Sequence, residues 1–269
     1  MVDAHAHLVP RLVDIDELIS FTEKAGISQV VLFASASELQ NAGSKYPERV
    51  IPFLSPFKRN PTTKKVTIPS DAPQTVETQL KSGFFKGIGE ITLRLHPLPQ
   101  VAPAGDNNPA DSPAMLAIYD LAAQYGILIN VHVDNEYSEE LARALEHNRE
   151  ATIIWSHCGY ASPTLLRGML DNHPNLYGDL SIILDPSKRM HSPDAINADG
   201  SIAPEWKELL NDYSERLMFG TDMGMNRGRY KRTAEVTNHY RSLLSQLSPE
   251  AASNIAYKNI LRILKLPGD

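Results

Sequence analysis

Eight short runs rich in Val, Ile, Leu and Phe recur along the chain: "VDAHAH", "QVVLFA", "VIPFLS", "FKGIGEI", "ILINVHV", "TIIWSHC", "NLYGDLS" and "RLMFGTD". Segments of about 10 to 15 residues with helical spacing of their apolar positions separate them, which is the pattern of repeated βα units feeding a parallel sheet. Seven of these segments read as helices: "DIDELISFTEKAG", "DAPQTVETQLKSG", "SPAMLAIYDLAAQYG", "SEELARALEHN", "SPTLLRGMLDNH", "APEWKELLNDYS" and the tail from Arg229 onward. The segment after the second run shows the least periodicity. Short turns such as "KAGIS", "KSGFF", "QYGIL" and "NHPNL" end helices on glycine or proline. The connections after the third, fourth and seventh runs are instead long and rich in Pro, Asn, Asp and basic residues. Short αβ turns and long βα loops repeated eight times predict an α/β chain folded as a single (β/α)8 TIM barrel with C-terminal helices. One domain would span residues 1–269, with its active site on the C-terminal rim.

Length and charge narrow the class. A chain of 269 residues is long enough to bury the core such a barrel needs. Its net charge of −6 argues against a nucleic-acid-coating or membrane-surface protein, and a small-molecule substrate is the expected partner. Cys158 is the only cysteine, so no intrachain disulfide framework exists. No secretory signal pattern opens the sequence, and no apolar run approaches the roughly 18 residues that span a bilayer, so a cytoplasmic location is expected.

The first run carries D-A-H-A-H. In a strand, side chains two apart share a face about 6.6 Å from each other, so His5 and His7 are spaced to hold one ion. A pair of polar residues at a frayed terminus is the bland alternative. Strands of a barrel are buried on both faces, however, and a titratable side chain at their ends is costly unless paired or metal-bound. "ILINVHV" turns His132 to the same side as Asn130 and Leu128, with Ile129 and Val131 opposite. By the same alternation "TIIWSHC" places His157 with Trp155 and Ile153, "RLMFGTD" places Asp222 with Gly220 and Met218, and "FKGIGEI" places Glu90 with Ile88 and Lys86. Gly87 and Gly89 would then face the helices and let them approach. Singly, each polar residue has a dull reading: a hydrogen-bonded core histidine, a loop carboxylate, or a helix cap at Asp222. Five strand ends delivering imidazole or carboxylate to one ring point instead to a shared metal centre.

These motifs, in this order, resemble the amidohydrolase superfamily, in its amidohydrolase 2 branch of metal-dependent barrel hydrolases. D-A-H-A-H, "GIGE", "NVHVD", "SHCG" and "GTD" each fall where that family places its site, and "SPEAASNIAYKNILRIL" is similar to its closing helix. The resemblance implies that His5, His7, His132 and Asp222 ligate a divalent metal. It implies for His157 either a second-metal ligand or a group that transfers protons and polarises a carbonyl. Glu90 matches the glutamate that joins two metals in DNase-like relatives, whereas decarboxylase relatives work with one; the carboxylated lysine of many binuclear members is missing. The expected cofactor is therefore one or two divalent ions, Zn2+ first, with Mn2+ or Fe2+ as alternatives.

Such an ion acidifies water toward neutral pH. Asp222 is then placed to take the water's proton and pass it to the leaving group, with His157 stabilising the oxygen that gains charge. Asp3 reads as a buried acceptor behind the ligands. Cys158, next to His157, faces away if the strand alternates, which argues against a nucleophile. Lys58, Arg59, Lys64, Lys65, Arg94, Arg189, Arg227 and Arg229 lie on loops of the rim and would favour an anionic substrate. Arg94 and Arg227 are the chosen substrate-binding residues, with Asn135, Tyr160 and Ser181 as rim polars. His96, His147, His173, His191 and His239 show no spacing logic. Hydrolysis of a lactone, ester or amide is the leading activity; decarboxylation or hydration of an organic acid and phosphodiester cleavage are the alternatives. A barrel that binds without turnover would not need the full proton-handling set. Barrels of this type often pair, so a homodimer is the association to test.

Overall fold

The structure is a computed structural model, and it describes residues 1–97, 105–184, 194–224 and 226–267. Arg189 and His191 lie outside the described residues. Strands β1 (Val2–His7), β2 (Gln29–Ala34), β3 (Val50–Leu54), β4 (Gly87–Leu95), β6 (Leu128–Val133), β7 (Ile153–Trp155), β8 (Leu176–Asp179) and β9 (Leu217–Met218) follow one another in parallel around the sheet. The seam between last and first is closed by backbone bonds from Ala4 to Phe219 (2.9 Å), Asp222 to His5 (2.8 Å) and His7 to Met223 (2.9 Å). The eight runs are the eight barrel strands. An additional two-residue strand, β5 (Asp106–Asn107), folds back antiparallel onto β4 inside the long fourth connection. β4 itself runs on to Leu95, so Arg94 is a strand residue paired with Asn107 and Val133 rather than a loop residue.

Helices begin where caps sit. Asp14 accepts from the Glu17 amide (2.8 Å) to start α1 (Ile15–Lys24), and Ser112 caps α4 (Pro113–Tyr125), with Pro113 in its first turn. The weakly periodic segment after the second run is also helical, as α2 (Ala36–Lys45). Its signal was local rather than periodic: Ser35 and Glu38 form a capping box, with the Ser35 amide 2.9 Å from Glu38 Oε2.

Two apolar layers result. Val30, Leu32, Ile129, Val131, Ile153 and Trp155 face the helices, whereas Val31, Phe33, Ile51, Phe53, Leu128, Ile154 and Met218 fill the barrel. Ile260 and Leu261 of α11 (Asn259–Ile263) close its lower end, and the Asn259 side chain holds the carbonyls of Ser214 (2.6 Å) and Leu217 (2.8 Å). Each fully buried Leu, Ile or Phe contributes about 1.5–3 kcal/mol. With the lower end plugged by apolar groups, the strands' C-terminal ends are left for polar chemistry. One expectation is overturned here: Gly87 and Gly89 make room inside the sheet, not for helices. A Cβ at Gly87 would lie 2.4 Å from the Phe53 ring, and one at Gly89 would lie 2.8 Å from Asn130 Cβ.

Candidate metal centre

The first half of the site forms at the barrel seam. The β1–β2 register slips between Asp3 and Ala6, and His5 and His7 both turn their Nε2 atoms inward, 3.2 Å apart. Asp222 follows β9 in the left-handed region (φ +46°) and brings Oδ1 to 3.6 Å from His5 Nε2 and 3.4 Å from His7 Nε2. The guanidinium of Arg229 donates to its other oxygen, Oδ2, at 2.9 Å. Beneath, buried Asp3 accepts from the His5 amide (3.0 Å) and from the Thr221 amide (2.9 Å) and hydroxyl (2.6 Å), which locks the seam.

The second half gathers Glu90, His132 and His157 from β4, β6 and the turn after β7. Glu90 divides its oxygens: Oε1 lies 3.0 Å from His132 Nδ1 and 3.6 Å from His157 Nε2, while Oε2 lies 3.5 Å from His7 Nε2 and 3.8 Å from His5 Nε2. The far nitrogen of His132, Nε2, meets Asp134 Oδ1 at 3.0 Å. Asp134 Oδ2 contacts the His96 ring, whose Nε2 meets Glu136 at 2.7 Å.

Two neighbouring Nε2 lone pairs aimed at one point repel unless a proton or cation lies between them. Donors held 2.0–2.1 Å from a tetrahedral ion are about 3.3–3.4 Å apart, close to the 3.2, 3.4 and 3.6 Å separations among His5, His7 and Asp222. The ring of carboxylates points the same way. Burial alone would lower the His7 pKa, yet Asp222 and Glu90 outweigh it and lift it to about 10. His132 is likewise lifted to about 10 against burial, by Asp134 and Glu90. Burial opposes ionisation of Glu90, but the surrounding imidazoles hold it well below the ordinary carboxylate range. The pocket therefore demands positive charge, and the residues fit a divalent ion held through His5, His7 and Asp222, with Glu90, His132 and His157 on its other side.

The amidohydrolase family profile matches residues 2–266. This chain belongs to the amidohydrolase family. It is an enzyme of that family, and proteins that share its fold include hydrolases, a decarboxylase and a hydratase. Its fold is shared by a probable 2-pyrone-4,6-dicarboxylic acid hydrolase from Acinetobacter baumannii, solved with citric acid bound (12% identity, 98% of this chain and 99% of that one, TM-score 0.66). An amidohydrolase from Burkholderia multivorans with bound zinc (14%, 99% and 99%, 0.60) and the 2,6-dihydroxybenzoate decarboxylase from Rhizobium (12%, 99% and 99%, 0.62) also superpose. No curated protein matches the chain. Among the described residues, no helix is long and apolar enough to cross a membrane.

In this amidohydrolase the ring brings together His5, His7, Glu90, His132, His157 and Asp222. Tyr160 joins them, its ring stacked on His157 (5.4 Å between centroids), while Asn135 stands behind it, donating to the Tyr160 carbonyl at 2.9 Å. The two arginines chosen from sequence are engaged elsewhere. Arg94 forms a two-pronged pair with Glu140 of α5 (Ser138–His147), at 2.9 and 2.5 Å, and lies over the Tyr137 ring. Arg227 pairs with Glu17 and donates to the Leu12 carbonyl (2.6 Å). Arg59 is drawn to buried Asp106 (2.5 Å), pinning the third connection against β5.

His157 reaches the ring by a route that alternation does not describe. Ile153 and Trp155 face the helices, and a left-handed turn through His157 (φ +54°), Cys158 (+45°) and Gly159 (+60°) re-aims the histidine inward. Cys158 is inert because it is buried, which pushes its thiol well above the usual range, and because Sγ donates to the Asp179 carbonyl at 3.3 Å. Four functional neighbours escaped the sequence reading: Asp179, Asp134, His96 and the contact of Arg229 with Asp222. Asp179 did leave a signal, since it shares inward parity with Tyr177 in "LYGD" on a strand buried on both faces.

Proposed function

We propose that this amidohydrolase hydrolyses an ester, lactone or amide bond in a small anionic organic molecule, with a divalent ion, zinc first, at the histidine–carboxylate ring. The observation that carries this reading is the division of labour within Asp222: Oδ2 is held by Arg229 at 2.9 Å, which leaves Oδ1 facing His5 and His7. An ion bound there acidifies water and polarises a carbonyl. Asp222 Oδ1 is positioned to accept the proton of the attacking water and to return it to the leaving group. Its fixed second oxygen keeps that carboxylate from rotating out of line, so the geometry is already in place before substrate arrives. Tyr160 stacks on His157 and covers that face of its ring.

Support for an anionic substrate comes from two sources. A similar barrel, a probable 2-pyrone-4,6-dicarboxylic acid hydrolase, was solved with citric acid bound. Lys58, Lys64 and Lys65 stand exposed on the third connection, at the strand ends where substrate would enter.

The test is a panel of lactones, esters and amides, with and without carboxylates, assayed with zinc-loaded and chelator-treated protein. Zinc-dependent hydrolysis that favours the carboxylate-bearing members supports the reading. Release of CO2 from aromatic or unsaturated acids with a silent panel replaces it with decarboxylation. Turnover confined to bis-p-nitrophenyl phosphate replaces it with phosphodiester cleavage.

A further inference from the structure

β8 ends on Asp179, a fully buried carboxylate that the steps above do not use. Five donors converge on it. Oδ2 faces His5 Nδ1 (3.0 Å) and the Asn130 amide group (3.3 Å); Oδ1 accepts from the backbone N–H of His157 (3.2 Å) and of Ser181 (3.1 Å), and from the Ser181 hydroxyl. An ionised carboxylate has about four lone-pair positions, so these neighbours saturate Asp179 and leave it nothing with which to bind an ion.

The donors fix protons on the rings. A carboxylate only accepts, so the His5 proton sits on Nδ1 and the lone pair on Nε2. The single Ser181 hydroxyl proton goes to Asp179, so the same oxygen accepts from His157 Nδ1 at 2.7 Å. The Ser181 carbonyl, 3.2 Å from the same nitrogen, can only accept as well. His157 therefore also carries its lone pair on Nε2, the atom that faces Glu90.

We infer that Asp179 is the positioning residue of the centre: directly for His5, and through Ser181 for His157, it sets the tautomer that turns both Nε2 lone pairs toward the ion. This inference rests on the metal-dependent reading above and refines it. It makes His157 a ligand, since a neutral ring in this tautomer has no Nε2 proton to offer a substrate carbonyl.

The test uses the zinc-loaded protein with 15N-labelled histidine. In the parent, His5 and His157 are expected as Nδ1–H rings bound through Nε2. In Asp179→Asn the two backbone N–H groups keep the amide oxygen on the Oδ1 side, so its NH2 faces His5 Nδ1 and drives the proton to Nε2. Zinc affinity, read by competition with a chromogenic chelator, is expected to fall about 10–100-fold. Ser181→Ala, which spares the His5 link, is expected to leave the His5 tautomer as in the parent, and with the parent spectrum it carries the test if Asp179→Asn does not fold. An Nε2–H signal from either ring in the loaded parent overturns the inference, as does parental zinc affinity in Asp179→Asn. A parent that takes up no zinc overturns the metal-dependent reading itself.

Discussion

The two halves of the ring are built differently. The His5–His7–Asp222 half lies across the barrel seam, where backbone bonds join the strand carrying the histidines to the segment carrying the aspartate, and Asp3 ties both from beneath. His5 and Asp222 are enclosed there, with side chains 0% and 6% exposed, while that of His7 is 24% exposed. The Glu90–His132–His157 half is assembled past register shifts in β4 and a left-handed turn after β7, and it opens outward along His132, Asp134 and His96 to Glu136, whose side chain is 60% exposed. One half is sealed across the seam by main-chain bonds. The other is held by side chains and connected to solvent. This difference separates the work of aligning a proton acceptor from the work of completing an ion's surroundings.

Removing the proton acceptor from the sealed half should have the largest consequence. Asp222→Asn preserves shape but not basicity, and turnover is expected to fall by about 10²–10⁴-fold, as measured by steady-state kinetics beside metal analysis. Activity within a few-fold of the parent would move the proton acceptor to the open half.

A smaller effect should follow from loosening each half from outside. Arg229→Ala removes the guanidinium donor from Asp222 Oδ2, and Asp134→Asn alters the partner of His132 Nε2. Each is expected to weaken zinc binding about 10–100-fold in a chelator competition. If one ion spans the ring, both variants weaken the same binding step. If the halves hold separate ions, each variant affects its own step, and the comparison becomes a count of metals.

Each half also contains an imidazole lifted to about 10, His7 in the sealed half and His132 in the open one, and His5 is raised as well, against burial, by Asp179 and Glu90. His7 and His132 both carry protons at pH 7 in the metal-free protein, and an ion can bind only the neutral rings, so loading must release them. Affinity should rise about tenfold per pH unit for each proton displaced, which calorimetry in buffers of different ionisation enthalpy will count. Because these pKa values lie above the unfolded value, the rings stabilise the metal-free fold below about pH 6.5, and that contribution fades as pH climbs through about 10. A metal-free thermal midpoint that stays flat or rises between those limits would contradict the assignment.

How far the sequence reveals the site follows from whether the backbone keeps phase. β6 keeps it: Leu128 faces the barrel and Ile129 and Val131 face the helices, as alternation predicts, with Asn130 and His132 reaching Asp179 and Glu90 inside. β4 and β7 do not. Ile88 faces the helices although two-residue parity grouped it with Glu90, because the register shifts between Ile88 and Ile91. Trp155 and His157 face opposite sides for a similar reason. Period can be read from residue types, but a phase reset is decided by a few dihedral angles, advertised in the sequence by Gly89 in "GIGE" (φ +146°) and Gly159 in "SHCG" (φ +60°). The missing Asp179 is a different case: its signal was present in an inward carboxylate, and three of its five donors, from His5, Asn130 and His157, come from positions too distant in the chain for spacing to connect them.

The mildest prediction concerns the rim rather than the ring, and it contrasts an arginine that serves the sealed half with one that does not. Arg229 is 15% exposed and bonded to Asp222, whereas Arg227, two residues away, is 49% exposed and turned to Glu17 on α1. An exposed ion pair of this kind contributes about 0–1 kcal/mol. Arg227→Ala should therefore lower the thermal midpoint by at most a few degrees and leave KM for an anionic substrate near the parental value, while Arg229→Ala changes metal binding. A rise in KM of tenfold or more in Arg227→Ala, with zinc affinity intact, would show that Arg227 leaves Glu17 to meet the substrate, and would restore it as the anion anchor its place in the sequence suggested.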